Sequence, residues 1–202
     1  MLGPALLSYV VLMSITPGPN NMMLASSGVR FGLRRTLPHL LGVSSGLGLQ
    51  LLMTGSLLAW VLKMLEVLQQ PLAWAGCGYL LWLSWKIAHA HRPEQRAESR
   101  PMGFFAALVF QWFNPKVWLM VINLAVLFMP GSAAPGAAAV QLAAVCALIN
   151  LPCIAVWALA GERLRQWLST PGALRAFNYL MASLMALTAM WLLIGELHPA
   201  GL

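Results

Sequence analysis

The chain has 202 residues, 60% of them hydrophobic, with 12 basic and 5 acidic side chains, no Asp and a formal net charge of +7. A soluble domain is about a quarter charged; 8% charge cannot cover a water-facing surface of this size, which excludes an ordinary soluble fold. The positive balance does not indicate nucleic acid, because the arginines fall in short gaps between apolar runs and build no basic face.

Six apolar runs are long enough to cross a bilayer as helices, which takes about 20 residues each. The first, at about 4–26, has no basic segment ahead of it, so a cleaved signal peptide is not expected. It is interrupted by Thr16-Pro17-Gly18-Pro19-Asn20-Asn21, and the gap after it holds Arg30, Arg34 and Arg35. The second run, about 38–62, carries Gly42, Ser45 and Gly46 near one face, with His39 at its start. Lys63 and Glu66 fill the following gap. The third, about 70–88, is crowded with Ala73, Ala75, Gly76 and Gly78 and ends at Lys86. Small side chains let helix backbones approach closely; they serve packing inside the chain, a homodimer seam or room for substrate.

A basic segment over 89–101 contains Arg92, Arg96 and Arg100 with Glu94 and Glu98. The fourth run, about 102–129, is interrupted at Asn114-Pro115-Lys116, with Gln111 just before and Trp112 and Trp118 on either side. Met129 to Gly136 carries no charge. The fifth run, about 136–160, contains Asn150-Leu151-Pro152, and Arg163, Arg165 and Arg175 follow it. The sixth is about 176–195. Pro4, Pro38, Pro71, Pro101 and Pro171 suit helix starts, where a missing N–H costs little. Cys77, Cys146 and Cys153 lie in apolar runs and read as small packing residues.

Basic gaps alternate with gaps of little positive charge. Lys and Arg in short loops favour the cytoplasm, so six spans with both termini outside place all three basic gaps on one face. The expected fold is an all-α integral membrane protein of one domain, 1–202. Its first three-helix half covers 1–88, a basic cytoplasmic loop 89–101, and a second half 102–202. The halves run in opposite senses, an inverted repeat whose first helices, one and four, are both broken. Trp60, Trp74, Trp82, Trp85, Trp157, Trp167 and Trp191 fall near helix ends, as an aromatic belt does; Trp112 and Trp118 lie deeper and have a better claim on substrate.

A broken helix exposed to lipid leaves backbone groups unpaired, at a cost of several kcal/mol. Such breaks persist where protein or a wet cavity covers them, and in carriers that is commonly the substrate site. The downstream half-helix offers N–H donors to an anion, and the upstream end offers carbonyls to a cation. An amino acid zwitterion needs both. The expected substrate-binding residues are Thr16, Pro17, Gly18, Pro19, Asn20, Asn21, Gln111, Asn114, Pro115, Lys116 and Asn150. Lys116, a charge inside a span, points to function: it attracts the substrate carboxylate or bonds the opposite broken helix. Asn150 either satisfies the carbonyl freed by Pro152 or lines the path. His39 is expected to make an interfacial hydrogen bond. With no buried acid in view, a small neutral amino acid suits the site better than lysine or arginine.

No nucleophile, base and orienting group stand at motif spacing, so an enzyme is not expected, nor any cofactor or metal. A channel for small polar solutes and a structural membrane protein are the remaining alternatives.

The Thr16–Asn21 run, with Gly28, Gly32 and the glycines of the second span, resembles the LysE/RhtB family of amino acid exporters. Asn114-Pro115-Lys116 resembles that family's second signature. Trp74-Ala75-Gly76, Tyr79-Leu80 and Trp82-Leu83-Ser84-Trp85-Lys86 are similar to its third-helix pattern. The Pro-Gly-Pro-Asn-Asn form and the Trp-Lys helix end look closest to exporters of cysteine and O-acetylserine. Homoserine, threonine, lysine and arginine exporters share the framework. The resemblance implies a role for Pro17, Gly18, Pro19, Asn20, Asn114, Pro115 and Lys116. It also implies alternating-access efflux driven by protons through the lipid of a bacterial inner membrane.

Overall fold

The computed structural model describes residues 3–89, 100–129, 135–165 and 167–197, and among these every regular element is helical. Helix α1 (Pro4–Ile15) and α2 (Pro19–Phe31) are the two arms of the first apolar run, parted at Thr16–Gly18. The turn into α3 (Leu33–Ser56) is made by Gly32 alone, at φ 78°, a left-handed conformation that favours glycine. Its corner is held from across the molecule, where the Glu162 carboxylate accepts from Leu33 N–H at 3.1 Å. An acid there satisfies a free donor and the positive end of α3 together.

Helix α4 (Leu58–Ala88) begins well before the expected start at 70, and Pro71 lies inside it. The residues from Leu58 to Gln70 are mostly strong helix formers, so the Lys63–Glu66 stretch expected as a gap continues the helix instead. Pro38 likewise sits within α3 rather than at its start. The fourth run divides into α5 (Phe104–Phe110), a 3-10 turn at Gln111–Phe113 and α6 (Pro115–Phe128). Its two arms are bent by 75°. Helices α7 (Pro135–Leu164) and α8 (Pro171–Leu197) follow. Most of the basic segment, 90–99, lies outside the described residues, as do 130–134, His91, His198 and the extreme termini.

Among the described residues, Gly136–Leu164 and Gly172–Met190 are long and apolar enough to cross a membrane, and Phe104–Phe128 makes a third if its bent arms count as one span. Three apolar clusters pack the helices. One joins α1, α3, α6 and α7 through Leu6, Leu51, Leu124 and Cys146. The second joins α2, α4, α5 and α8 through Met22, Cys77, Leu80, Phe110 and Met185. A third, smaller one unites α2, α3, α5 and α7 around Leu24, Leu40, Ala107 and Ile154.

Small residues set the closest crossings. A Cβ added to Gly28 would strike the Ala158 carbonyl, and one added to Gly161 would strike that of Ala25, so α2 and α7 meet backbone to backbone. Gly42 and Gly46 seat α3 on α5 in the same manner, against Phe104 and Leu108 carbonyls. Ser45 is exposed and takes no part. In the third apolar run Gly76 faces the Phe113 carbonyl, whereas Gly78 has nothing within 4 Å.

Gly28→Ala is therefore expected to cost about 1–3 kcal/mol, the range for overpacking a tight contact. Gly78→Ala is expected to be neutral or stabilising by up to about 1 kcal/mol, from helix propensity alone. Thermal unfolding in detergent micelles checks both; equal midpoints for the two variants would contradict the close α2–α7 crossing.

Candidate functional site

A helix ends with its last four carbonyls unpaired. Helix α1 ends at the break with Ser14 buried and Thr16 and Pro17 exposed, and its carbonyls are taken one by one. Thr16 N–H donates to Leu12 C=O at 3.1 Å and Thr16 Oγ1 to Met13 C=O at 3.2 Å. Asn21 Nδ2 donates to Ser14 C=O and to Thr16 C=O, both at 2.8 Å. Trp157 Nε1, from α7, reaches Ile15 C=O at 3.0 Å. Lys116 Nζ, from the first turn of α6, donates to Thr16 C=O and Thr16 Oγ1 at 2.9 Å and to Pro17 C=O at 3.1 Å. An ammonium has three donors, and all three are spent on the end of α1.

The second break is closed in a matching way. Asn114 caps α6, its Oδ1 accepting from Lys116 N–H at 3.2 Å. Gln111, in the turn that ends α5, meets Asn20 in the first turn of α2. Asn20 Nδ2 donates to Gln111 Oε1 at 2.8 Å, and Gln111 Nε2 donates to Ala107 C=O at 2.7 Å. Each break thus begins its downstream arm with a proline, Pro19 or Pro115. The next residue, Asn20 or Lys116, crosses to the end of the other break's upstream arm. Gly18 makes one crossing possible, since a Cβ there would meet Lys116 Cδ at 2.8 Å and Nζ at 3.0 Å.

A cavity of about 30 Å³ lies where these arms meet. Gly18, Pro19, Asn20, Asn21, Gln111, Asn114, Lys116 and Asn150 line it, as do Met13, Ser14, Val43, Leu47, Val117, Met120 and Ile154. Thr16, Pro17 and Pro115 do not face it; the first two hold Lys116 from behind. Asn150 donates to Ser14 Oγ at 3.0 Å and faces the cavity, so it does not repair the gap left by Pro152. Three buried amide atoms on the lining have no protein partner: Asn21 Oδ1, Asn150 Oδ1 and Asn114 Nδ2. The orientations of Asn21 and Asn114 follow from their bonds to backbone carbonyls and to a backbone N–H.

Two aromatic expectations are corrected. Trp157 is not a belt residue, because its indole N–H is used at the end of α1. Trp112 and Trp118 do not reach the cavity; Trp118 Nε1 bonds Trp112 C=O at 2.9 Å and braces the second break. Trp74, Trp82, Trp85 and Trp167 are exposed on the outside of the bundle, while the side chains of Trp60 and Trp191 lie outside the described residues. His39 is 1% exposed and neither ring nitrogen has a partner, so the expected interfacial hydrogen bond is not made. Ser14 was missed by the sequence reading; its one signal is a polar side chain two residues before the break.

Lys116→Met is expected to lower the thermal unfolding midpoint, at a cost of about 1.5–3 kcal/mol, the range for hydrogen bonds to a charged group. Gly18→Ala should shift it in the same direction and by less, because the lysine stem can bend aside. An unchanged midpoint in Lys116→Met, measured on correctly inserted protein, would refute the capping role.

A family model described as LysE type translocator matches residues 11–196. The chain is 32% identical to a cysteine/O-acetylserine efflux protein of Klebsiella pneumoniae subsp. pneumoniae, covering 94% of this chain and 96% of the relative. It is 30% identical to the protein of the same description from Salmonella choleraesuis, over 94% and 96%. To that of Escherichia coli K12 it is 28% identical, over 93% and 97%. No solved structure matches the chain.

Proposed function

The chain belongs to the LysE type translocator family, a multi-pass protein of the bacterial inner membrane, and we propose that it exports a small neutral amino acid or derivative of the cysteine or O-acetylserine kind. The observation that carries this reading is the set of unpartnered amide groups around the cavity. Asn21 Oδ1 and Asn150 Oδ1 can accept from an ammonium, while Asn114 Nδ2 can donate to a carboxylate. Helix α2 also begins at this cavity without a side-chain cap, so its positive end suits the carboxylate. Of the two roles expected for Lys116, bonding the opposite broken helix accounts for all its donors, and in this conformation none remains for substrate.

Among the described residues no acidic side chain lines the cavity, so a lysine or arginine side chain would find no counter-charge in that lining. Its volume suits one or two ordered waters. Alternating access, in which the walls part to load the site, belongs to this proposal. Six spans in two inverted halves are part of this proposal, supported by how the arms are shared. Helix α1 packs with α6 in one apolar cluster, and α2 with α5 in the others. The paired breaks lie between. Proton coupling belongs to the same proposal and is assigned to the substrate's own ionisable groups, since among the described residues Lys116 is the single titratable group on the lining and its donors are taken.

Counterflow in proteoliposomes, with a panel of labelled amino acids and with or without a pH gradient, tests the reading. Cysteine or O-acetylserine should exchange, and an imposed gradient should drive net accumulation, which a channel cannot produce. Asn150→Leu should reduce exchange about tenfold, the equivalent of one buried hydrogen bond, at unchanged insertion. Indifference to every amino acid would overturn the proposal.

A further inference from the structure

A second cavity, of about 180 Å³, lies at the far end of α2 from the amide-lined one. Three cations border it: Arg30 from α2, Lys86 from the end of α4, and Arg100 ahead of α5. Among the described residues, none on its lining is acidic. Arg30 and Lys86 rest on aromatic faces, the guanidinium 5.0 Å from the Phe31 ring centre and the ammonium 4.5 Å from that of Trp82. Deeper in the same cavity are neutral polar groups with no protein partner. Both nitrogens of His39 and the hydroxyl of Ser26 are unpaired, as is Arg30 Nε, and His39 and Ser26 are 1% and 6% exposed. Like charges gathered together repel one another, and buried polar atoms left unpaired are costly; a ligand with an anionic end and hydrogen-bonding groups behind it relieves both.

The position is as telling as the chemistry. Arg30 and Arg100 come from gaps whose basic character marks the cytoplasmic face, and Lys86 ends the helix leading to one of them. Asn20 and Arg30 are ten residues apart on α2, about 15 Å along the helix at 1.5 Å per residue. On α2, Met22 falls between Asn21 of one lining and Met23 of the other, and ahead of α6 Phe110 falls between Met102 and Gln111; both, at most 1% exposed, belong with Leu80 to one apolar cluster. The two polar chambers are therefore in line, with an apolar plug between.

We propose that the basic cavity is the inward reception site of the transport path. Arg30, Lys86 and Arg100 take the carboxylate of the amino acid, and His39 and Ser26 take its amino end, before the plug opens toward the amide-lined cavity. This rests on the export reading above.

Two measurements test it on the full chain. In nanodiscs of zwitterionic lipid, sodium acetate and O-acetylserine should each change the Trp82 contribution to fluorescence, identified by difference from Trp82→Phe. Arg30→Gln combined with Arg100→Gln should weaken that titration about tenfold, as loss of charge-assisted hydrogen bonds does. In everted vesicles, Arg100→Gln should raise the half-saturating concentration of O-acetylserine about tenfold with the maximal rate kept, while right-side-out vesicles show no rise. Titrations unchanged in the double variant, or an equal rise at both faces, would overturn the proposal. So would a fluorescence response that follows phosphatidylglycerol content and ignores acetate, which assigns the cavity to a lipid headgroup. If the unaltered chain carries no amino acid yet still binds acetate through Arg30 and Arg100, the export reading fails and the anion site stands.

Discussion

The lysine that crosses from one broken helix to the other holds the centre of this molecule together. The carbonyls at a helix end need partners, and those of α1 find them around and across the break. Lys116 supplies three donors to Thr16 and Pro17, and Asn21 and Trp157 supply the rest. The smaller Asn20–Gln111 contact does the corresponding work at the end of α5. Because each break takes some of its partners from the other, the two support each other's irregular backbone.

The carbonyls at the end of α1 have partners, and that makes the exceptions beside them informative. Where carbonyls of α1 are all accounted for, the unpaired atoms on side chains beside them stand out as a surface prepared for something else. They are amides rather than carboxylates or further cations. Neutral amides that both donate and accept can hold a zwitterion beside a lysine whose own donors are already taken. The apolar clusters on either side limit water to this small volume.

Much of this was readable in the sequence, for a definite reason. Proline and glycine act locally, so the interruptions at Pro17 to Pro19 and at Pro115 declare themselves without knowledge of the fold. The same local rule misled at Pro71 and Pro38, which looked like helix starts; strong helix formers upstream of Pro71 carry α4 through it. What was not legible depends on rotation about a helix axis or on contacts far apart in the chain. Trp157 looked like an interfacial tryptophan until its partner, 142 residues earlier, was placed beside it. The expectation for Lys116 named two roles, and only the fold distinguishes them. Ser14 and the unpaired ring of His39 were likewise invisible, since burial is a property of the packed helices.

The glycine contacts have a mechanical consequence. Helices α2 and α7 touch through main chain at Gly28 and Gly161, and α3 and α5 do so at Gly42 and Gly46. Surfaces interlocked at that range cannot slide without a collision, so each couple behaves as one strut. Asn20, Asn21 and Asn150 ride on the first strut; Val43, Leu47 and Gln111 belong to the second. Between them, α3 meets α7 at Gly48, where an added Cβ would come within 3.3 Å of the Ala147 methyl, and through the Ser44 hydroxyl, which donates to Ala147 C=O. Any rearrangement that opens the amide-lined cavity must therefore carry each couple as a body.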